Sequence, residues 1–217
     1  MTVLASLPVI IAIIMVTSQK APSVEDFETG ILGAMLSGSI APLVVLAIAA
    51  AAFSNEVEDR TLANLILSPL PRWQIAIPKL LATITIAAPF IAVSAFATSY
   101  IAYLGDWRAV FAVTVSSIIG VALYSAAFVF LGLVTTYAIG IGLLYIIVWE
   151  GFFSGFVTGA RLLSIRHYAI AMMHGMDTRR FAFQNQPGSV AVSIIALVVF
   201  AAFALASVRR LEVMDVP

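Results

Sequence analysis

The sequence predicts an all-α integral membrane protein that crosses a bilayer several times. Three observations carry that prediction. Apolar residues make up 62% of the 217-residue chain and charged residues only 10%, whereas a soluble domain carries about 25% charged residues. The mean hydropathy is +1.10, and the apolar residues gather in six runs, several near the roughly 20 residues that cross a hydrocarbon core as a helix. Alternating apolar and polar positions, the pattern of a membrane barrel, are absent, so helices must satisfy the backbone in lipid.

In chain order the predicted spans are 1–18, 31–53, 80–104, 107–134, 139–158 and 190–208, together one transmembrane domain over 1–217. The first is short and begins almost at Met1, so either the start is trimmed or a neighbouring helix anchors it. An acidic loop follows it, and a minimal turn at Gly105-Asp106 joins the third span to the fourth. A tight link at 135–138 joins the fourth to the fifth, and a longer polar segment, 159–189, precedes the last. The formal net charge is zero, which removes bulk attraction to nucleic acid. Cysteine is absent, which excludes disulfides, zinc–thiolate sites and cysteine nucleophiles.

Charge does not orient the chain. Six spans put both termini on one side, with Arg60, Arg72, Lys79, Arg209 and Arg210 on that face. Lys20, Arg108, Arg161, Arg166, Arg179 and Arg180 lie on the other, and with five against six the positive-inside rule selects neither orientation. Within 161–176, Leu162, Ile165, Ala169 and Met172 form a partial apolar stripe. That stripe is consistent with a helix lying flat in the headgroups, whose arginines would not report topology.

Residues 55–82, NEVEDRTLANLILSPLPRWQIAIPKLLA, are the one long segment that mixes both signs of charge, paired prolines and a tryptophan between two apolar runs. Glu56, Glu58 and Asp59 suit a helix start, where the backbone dipole is positive. Leu62, Leu65 and Ile66 recur at helical spacing and give an apolar face. Pro69 and Pro71 cannot continue that helix. Arg72 and Trp73 suit a membrane–water boundary, and Lys79 stands where its amine can snorkel to the headgroups. The expectation is a short amphipathic helix and turn against the membrane, shaped to touch something outside it.

Glu150 is the one carboxylate inside a predicted span. It stands about 17 Å along the fifth helix, near the middle of a roughly 30 Å core, where a charge costs about 2.5–3.5 kcal/mol. It must be protonated, paired, or turned to a wet cavity. Two readings stay open. Glu150 lines a polar path or bonds across a subunit interface, or the helix ends early at Gly151 and Glu150 reaches Arg161 or Arg166 near the surface. Glycines at 33, 38, 140 and 142 permit close helix packing, and phenylalanines at 90, 96, 111, 128 and 130 read as lipid or core contacts. His167 and His174 share a helical face but have only Asp177 beside them, a poor metal set. The spacing of Gly151-Phe152-Phe153-Ser154-Gly155 fails the Gly-x-Ser-Gly of rhomboid proteases. No phosphate-binding loop of the Gly-x-x-x-x-Gly-Lys-Ser/Thr type occurs, so this chain does not bind ATP in that way.

The 55–82 stretch resembles the segment between the second and third spans of permeases of the export-type, second class of ATP-binding-cassette (ABC) transporters. Glu56 and Glu58 match that family's acid-x-acid, Thr61 and Leu62 its Thr-Leu, and Leu65 and Leu67 its leucine-rich turn. Pro69 with Arg72 matches its Pro-x-x-Arg, and Lys79 its lysine. Arg60 and Pro78 stand where the family carries glycines. A second, looser resemblance covers Trp149-Glu150-Gly151 and Arg161 through Tyr168, which look like the end of the fifth span and the external helices after it. A basic tail at Arg209-Arg210 and six spans agree.

The resemblance implies a permease half in a bacterial plasma (inner) membrane, multi-pass, with both termini and the coupling segment 54–79 in the cytoplasm. It implies a second permease subunit as partner, a cytoplasmic ABC ATPase dimer beneath, and ATP and magnesium bound in that ATPase, with no cofactor here. Glu56, Glu58, Asp59, Arg60, Thr61, Leu62, Leu65, Pro69, Pro71, Arg72 and Lys79 would couple to the ATPase, and Glu150 would serve the pathway or the interface. The segment 159–189 would be external. The chain would be a non-catalytic subunit bathed in membrane lipid, exporting a substrate that the sequence does not name. A membrane subunit resembling the haem exporter of cytochrome maturation, which shares the Leu-Ser-Pro-Leu-Pro run at 67–71, is one alternative. A proton-coupled secondary transporter using Glu150 is another.

Overall fold

A computed structural model describes residues 2–17, 27–58, 71–153, 164–178, 181 and 189–213. Every element among the described residues is a helix. They are α1 (Thr2–Thr17), α2 (Glu28–Ile40), α3 (Ala41–Glu58), α4 (Trp73–Ala102) and α5 (Trp107–Val134). After these come α6 (Ala138–Leu144), α7 (Tyr145–Phe153), α8 (Ile165–Met176) and α9 (Ser189–Val213). Four stretches are long and apolar enough to cross a membrane: Gly30–Ala50, Trp73–Ala102, Trp107–Val134 and Val190–Val213. Val3–Thr17 and Ala138–Phe152 are apolar but shorter.

The links on either side of α5 are short, four residues before it and three after it, so α4 and α6 must both turn back against it. Gly105 takes a positive φ of 91°, open to glycine at no steric cost, and the Asp106 side chain accepts a hydrogen bond from the Ala109 N–H to cap α5. At the far end of α5, Thr135 is extended and its hydroxyl accepts from the Tyr137 N–H before α6 begins. The α4–α5 hairpin is the centre of the packing, with α3, α8 and α9 laid against α5 and α1 against α4. Buried Ala87, Ile91 and Ala95 of α4 and Val121, Tyr124 and Phe128 of α5 lie within that core.

Exposed aromatic residues mark both ends of the bundle. Trp73 and Tyr137 stand exposed at one end; Tyr100 and Trp107 do so at the other, where Phe96, Tyr100 and Trp107 contact one another at centroid distances of 5.6–6.4 Å. From Trp73 to Tyr100 along α4 is about 40 Å, close to the roughly 40–45 Å of a bilayer with its headgroup layers. Between these belts the outer faces of α1, α4 and α9 carry exposed Leu, Ile and Val, as lipid contact requires.

Several boundaries differ from the sequence expectation. The second apolar run continues without a break to Glu58, because Ala47 to Ala52 are strong helix formers with no punctuating residue. Glu56 and Glu58 therefore lie within α3, and the residues that follow them are outside the described ones. The third run begins at Trp73, seven residues before the expected start, so Pro78 is the sixth residue of α4 and lies beyond its first turn. Pro78 removes the hydrogen bond to the carbonyl of Gln74, an exposed residue. The final helix runs on through Arg209 and Arg210 to Val213.

The 161–176 segment is also corrected. Helix α8 does not lie flat on the bundle. It is packed lengthwise against α5, α9 and α2 with Ile165, Tyr168, Ala169, Ala171 and Met173 buried. A Cβ at Gly120, midway along α5, would touch Ala169, and the far end of α8 lines one cavity with Arg108 near the start of α5. Thus α8 runs antiparallel to the first half of α5, from the middle of the bundle outward to the Trp107 end. Its apolar stripe exists to pack on helices, and too few lipid-facing residues remain for a headgroup layer.

Candidate functional site

Where α8 begins, a polar node sits inside the apolar bundle. Glu150 of α7 is completely buried. Its Oε1 accepts from the Tyr145 hydroxyl at 2.8 Å and from the Ile165 N–H at 2.9 Å, and its Oε2 accepts from the Ser164 hydroxyl at 2.5 Å. Ser164 is the N-cap of α8, and its Oγ accepts in turn from the His167 N–H at 3.2 Å. A carboxylate bonded to the first N–H of a helix also lies at the positive end of that helix's dipole. Glu150 is thereby the side chain that caps α8.

Arg166 completes the node. Its Nη1 donates to the Glu150 backbone carbonyl at 3.3 Å, and its side chain lies across two glycines of α2. A Cβ on Gly38 would come within 2.9 Å of Arg166 Cδ, and one on Gly33 within 3.6 Å of Nη2.

The helices that form this groove are wound unusually. Both α2 and α7 are π-helices, which as a class are rare and concentrate at functional sites. In α2 the Ser39 hydroxyl bonds the Ala34 carbonyl and the Ala41 N–H bonds the Leu36 carbonyl, each five residues back. Gly33 and Gly38, five apart, consequently share the face on which Arg166 rests. The two π-helices pack on each other. Tyr124 of α5 ties into the same region, its hydroxyl donating to the Ser37 carbonyl at 3.3 Å. Phe128 stacks on Tyr124 and meets Tyr145 edge-on.

Of the two readings of Glu150, the geometry bears only on where the carboxylate sits and what it bonds within the chain. Arg166 is beside it, as the early-ending reading requires, yet the carboxylate is interior and both of its oxygens are engaged within the chain. Sequence reasoning does not find Ser164 and Tyr145 as its partners. The Ser164-x-x-His167 spacing is an N-cap signal, but nothing in the sequence says which acid the cap would meet.

The coupling residues are only partly described. Glu56 and Glu58 occupy the end of α3, whereas Asp59, Arg60, Thr61, Leu62, Leu65 and Pro69 lie outside the described residues. Pro71 is exposed and its carbonyl accepts from the Gln74 N–H; the Arg72 carbonyl accepts from the N–H groups of Ile75 and Ala76 to start α4. Lys79 does not snorkel to headgroups. It is half-buried and donates to the Ala52 carbonyl of α3, joining the two helices that flank the segment.

No protein-family model and no curated protein sequence matches the chain.

The other singled-out residues serve packing or face outward. Gly142 admits Leu46, whose Cδ1 would overlap any Cβ there, while Gly140 faces open space and serves no packing contact. Phe128 is core, and Phe96 and Phe111 are exposed. His174 Nδ1 contacts the Phe181 carbonyl. Among the described residues, no group of three or more His, Asp or Glu side chains is placed to hold a metal.

Proposed function

We propose that the chain is the permease half of an ABC exporter, working in a bacterial plasma membrane beside a second permease subunit and above two ATPase subunits. The observation that carries the reading is the tie between α3 and α4. Lys79 holds them together on either side of the segment that resembles the family's coupling element. A push on 59–72 would then move two bundle helices as one body instead of being absorbed by a loose hairpin. Both ends of that hairpin lie with the Trp73 belt, at the end where Arg209 and Arg210 close α9. In this reading that end is cytoplasmic, substrate passes during alternating access, and the node at Glu150 fixes α8 inside the half facing the outer leaflet.

The test is transport by the chain co-expressed with an ATPase that carries a phosphate-binding loop. Export stops on ATP depletion and persists with an uncoupler. Reversing Glu58 and Asp59 to arginine lowers both transport and ATPase co-purification while the permease still folds. Unchanged transport and co-purification in that variant overturn the reading.

A secondary transporter driven by protons is the second reading, favoured by one observation, a fully buried carboxylate at Glu150. It predicts the opposite pattern, with transport surviving ATP depletion and failing with an uncoupler. That both Glu150 oxygens are engaged with Tyr145, Ser164 and Ile165 argues for a structural cap over a carrier that must meet water on each side.

A further inference from the structure

We propose that Ser94 and Thr98 of α4 line the transport path toward the Trp107 end, and that the bundle opens along their face to admit water. The two residues stand four apart on one helix, so their side chains lie one above the other on a single face. Both are buried, at 3% and 0% exposure, and neither hydroxyl has a hydrogen-bond partner in the protein. Hydroxyls elsewhere in these helices behave differently. On α4 itself Thr83, Thr85 and Ser99 each donate to the carbonyl four residues back. Thr114 and Ser117 of α5 and Ser207 of α9 do the same. Ser94 and Thr98 leave the equivalent carbonyls, those of Phe90 and Ser94, unused.

A buried hydroxyl without a partner is unfavourable, and an apolar side chain of the same shape avoids the loss. The hydroxyls therefore belong to a second arrangement of the bundle, in which they meet water or a polar cargo. Ser37 and Ser125, the other such hydroxyls among the described residues, stand singly on α2 and α5. Only α4 carries two on one face. Position and mechanics agree with an opening there. Ser94 lies six residues, about 9 Å, inward from Tyr100 of the aromatic belt, and Thr98 is closer still. Pro89, five residues before Ser94, removes the hydrogen bond to the Thr85 carbonyl. Proline is where helices kink, so the half of α4 that carries Ser94 and Thr98 can swing on it.

Calling the opening a transport path rests on the transport reading; the opening itself does not, and its test needs neither cargo nor ATPase. The chain has no cysteine, so Ser94→Cys and Thr98→Cys each place a single thiol on the face. The full-length variants in liposomes meet methanethiosulfonate ethyltrimethylammonium on both sides of the membrane. This charged reagent stays out of lipid and attacks the thiolate, which apolar surroundings suppress. Both variants react at least tenfold faster than Ala49→Cys, fully buried in α3, and than Val93→Cys, 69% exposed beside Ser94 on the outer face of α4. Thr98→Val keeps the shape without the hydroxyl; it raises the melting midpoint by about 2–4 °C and slows labelling of Ser94→Cys. Labelling no faster than at Ala49→Cys, equal labelling at Val93→Cys, or a lower midpoint in Thr98→Val overturns the proposal. Export that survives ATP depletion would overturn the ABC reading and leave these rates as they are.

Discussion

Replacing Glu150 by alanine removes the acceptor for three donors at once, the hydroxyls of Tyr145 and Ser164 and the N–H of Ile165. A buried donor left without a partner costs about 1–3 kcal/mol. Tyr145 is only partly buried and its hydroxyl can turn away, so the loss falls toward the lower end of the sum. About 3–5 kcal/mol is expected from the three lost acceptor contacts. Glu150→Gln keeps a carbonyl oxygen for Tyr145 and Ile165 but presents an NH₂ to Ser164, which must then accept instead of donate. That variant leaves the Ser164 O–H without its acceptor, a loss of about 1–2 kcal/mol. For a chain of this size each kcal/mol moves the midpoint by about 2–4 °C. Helical circular dichroism of the purified proteins, melted in one detergent, should show the alanine variant falling at least about twice as far as the glutamine variant. An alanine variant as stable as wild type would refute the argument that Glu150 caps α8. Equal losses in the two variants would show that charge, not the acceptor geometry, holds the node.

The remaining expectations concern close approaches and the tie between α3 and α4. Gly142→Ala forces a Cβ into Leu46, a buried side chain with little room to retreat, and should cost about 1–3 kcal/mol; Gly140→Ala, at an open position, should leave the melting midpoint unchanged, and Leu46→Ala should relieve part of the Gly142→Ala defect in a double-variant cycle. Gly38→Ala displaces Arg166 from α2 and should lower stability, whereas Gly30→Ala, with no atom within 4 Å of its Cβ, should be neutral in the same melt. Lys79→Met removes a charged hydrogen bond to the Ala52 carbonyl, worth about 1.5–3 kcal/mol; on the proposed exporter reading it should reduce substrate moved per ATP hydrolysed more than it reduces the amount of folded protein.

How much is legible in the sequence follows from which forces are local. The fourth span, 107–134, and the Gly105-Asp106 turn before it stand where the sequence puts them, because a turn glycine, an N-capping aspartate and a boundary tryptophan are all written within three residues. The start of α4 departs from its expected place because composition marks where a helix enters hydrocarbon, not where its hydrogen bonds begin. Likewise Glu56 and Glu58 carry a sequence signal for a helix start, yet the preceding alanine run already propagates α3 through both of them. Glu150 is conspicuous as a carboxylate among apolar residues, but its partners are not.

By itself the sequence determined that this chain is helical and apolar on its outside, and roughly where its long helices lie, since lipid offers no partner to an open backbone. Only the tertiary structure decided that α8 enters the bundle instead of lying on it, and that Glu150 meets a helix start fourteen residues further along the chain. Those outcomes depend on contacts between distant segments: small residues at Gly33, Gly38 and Gly120 make room for Arg166 and α8. Room of that kind exists only when the facing helix is present, so no local pattern records it.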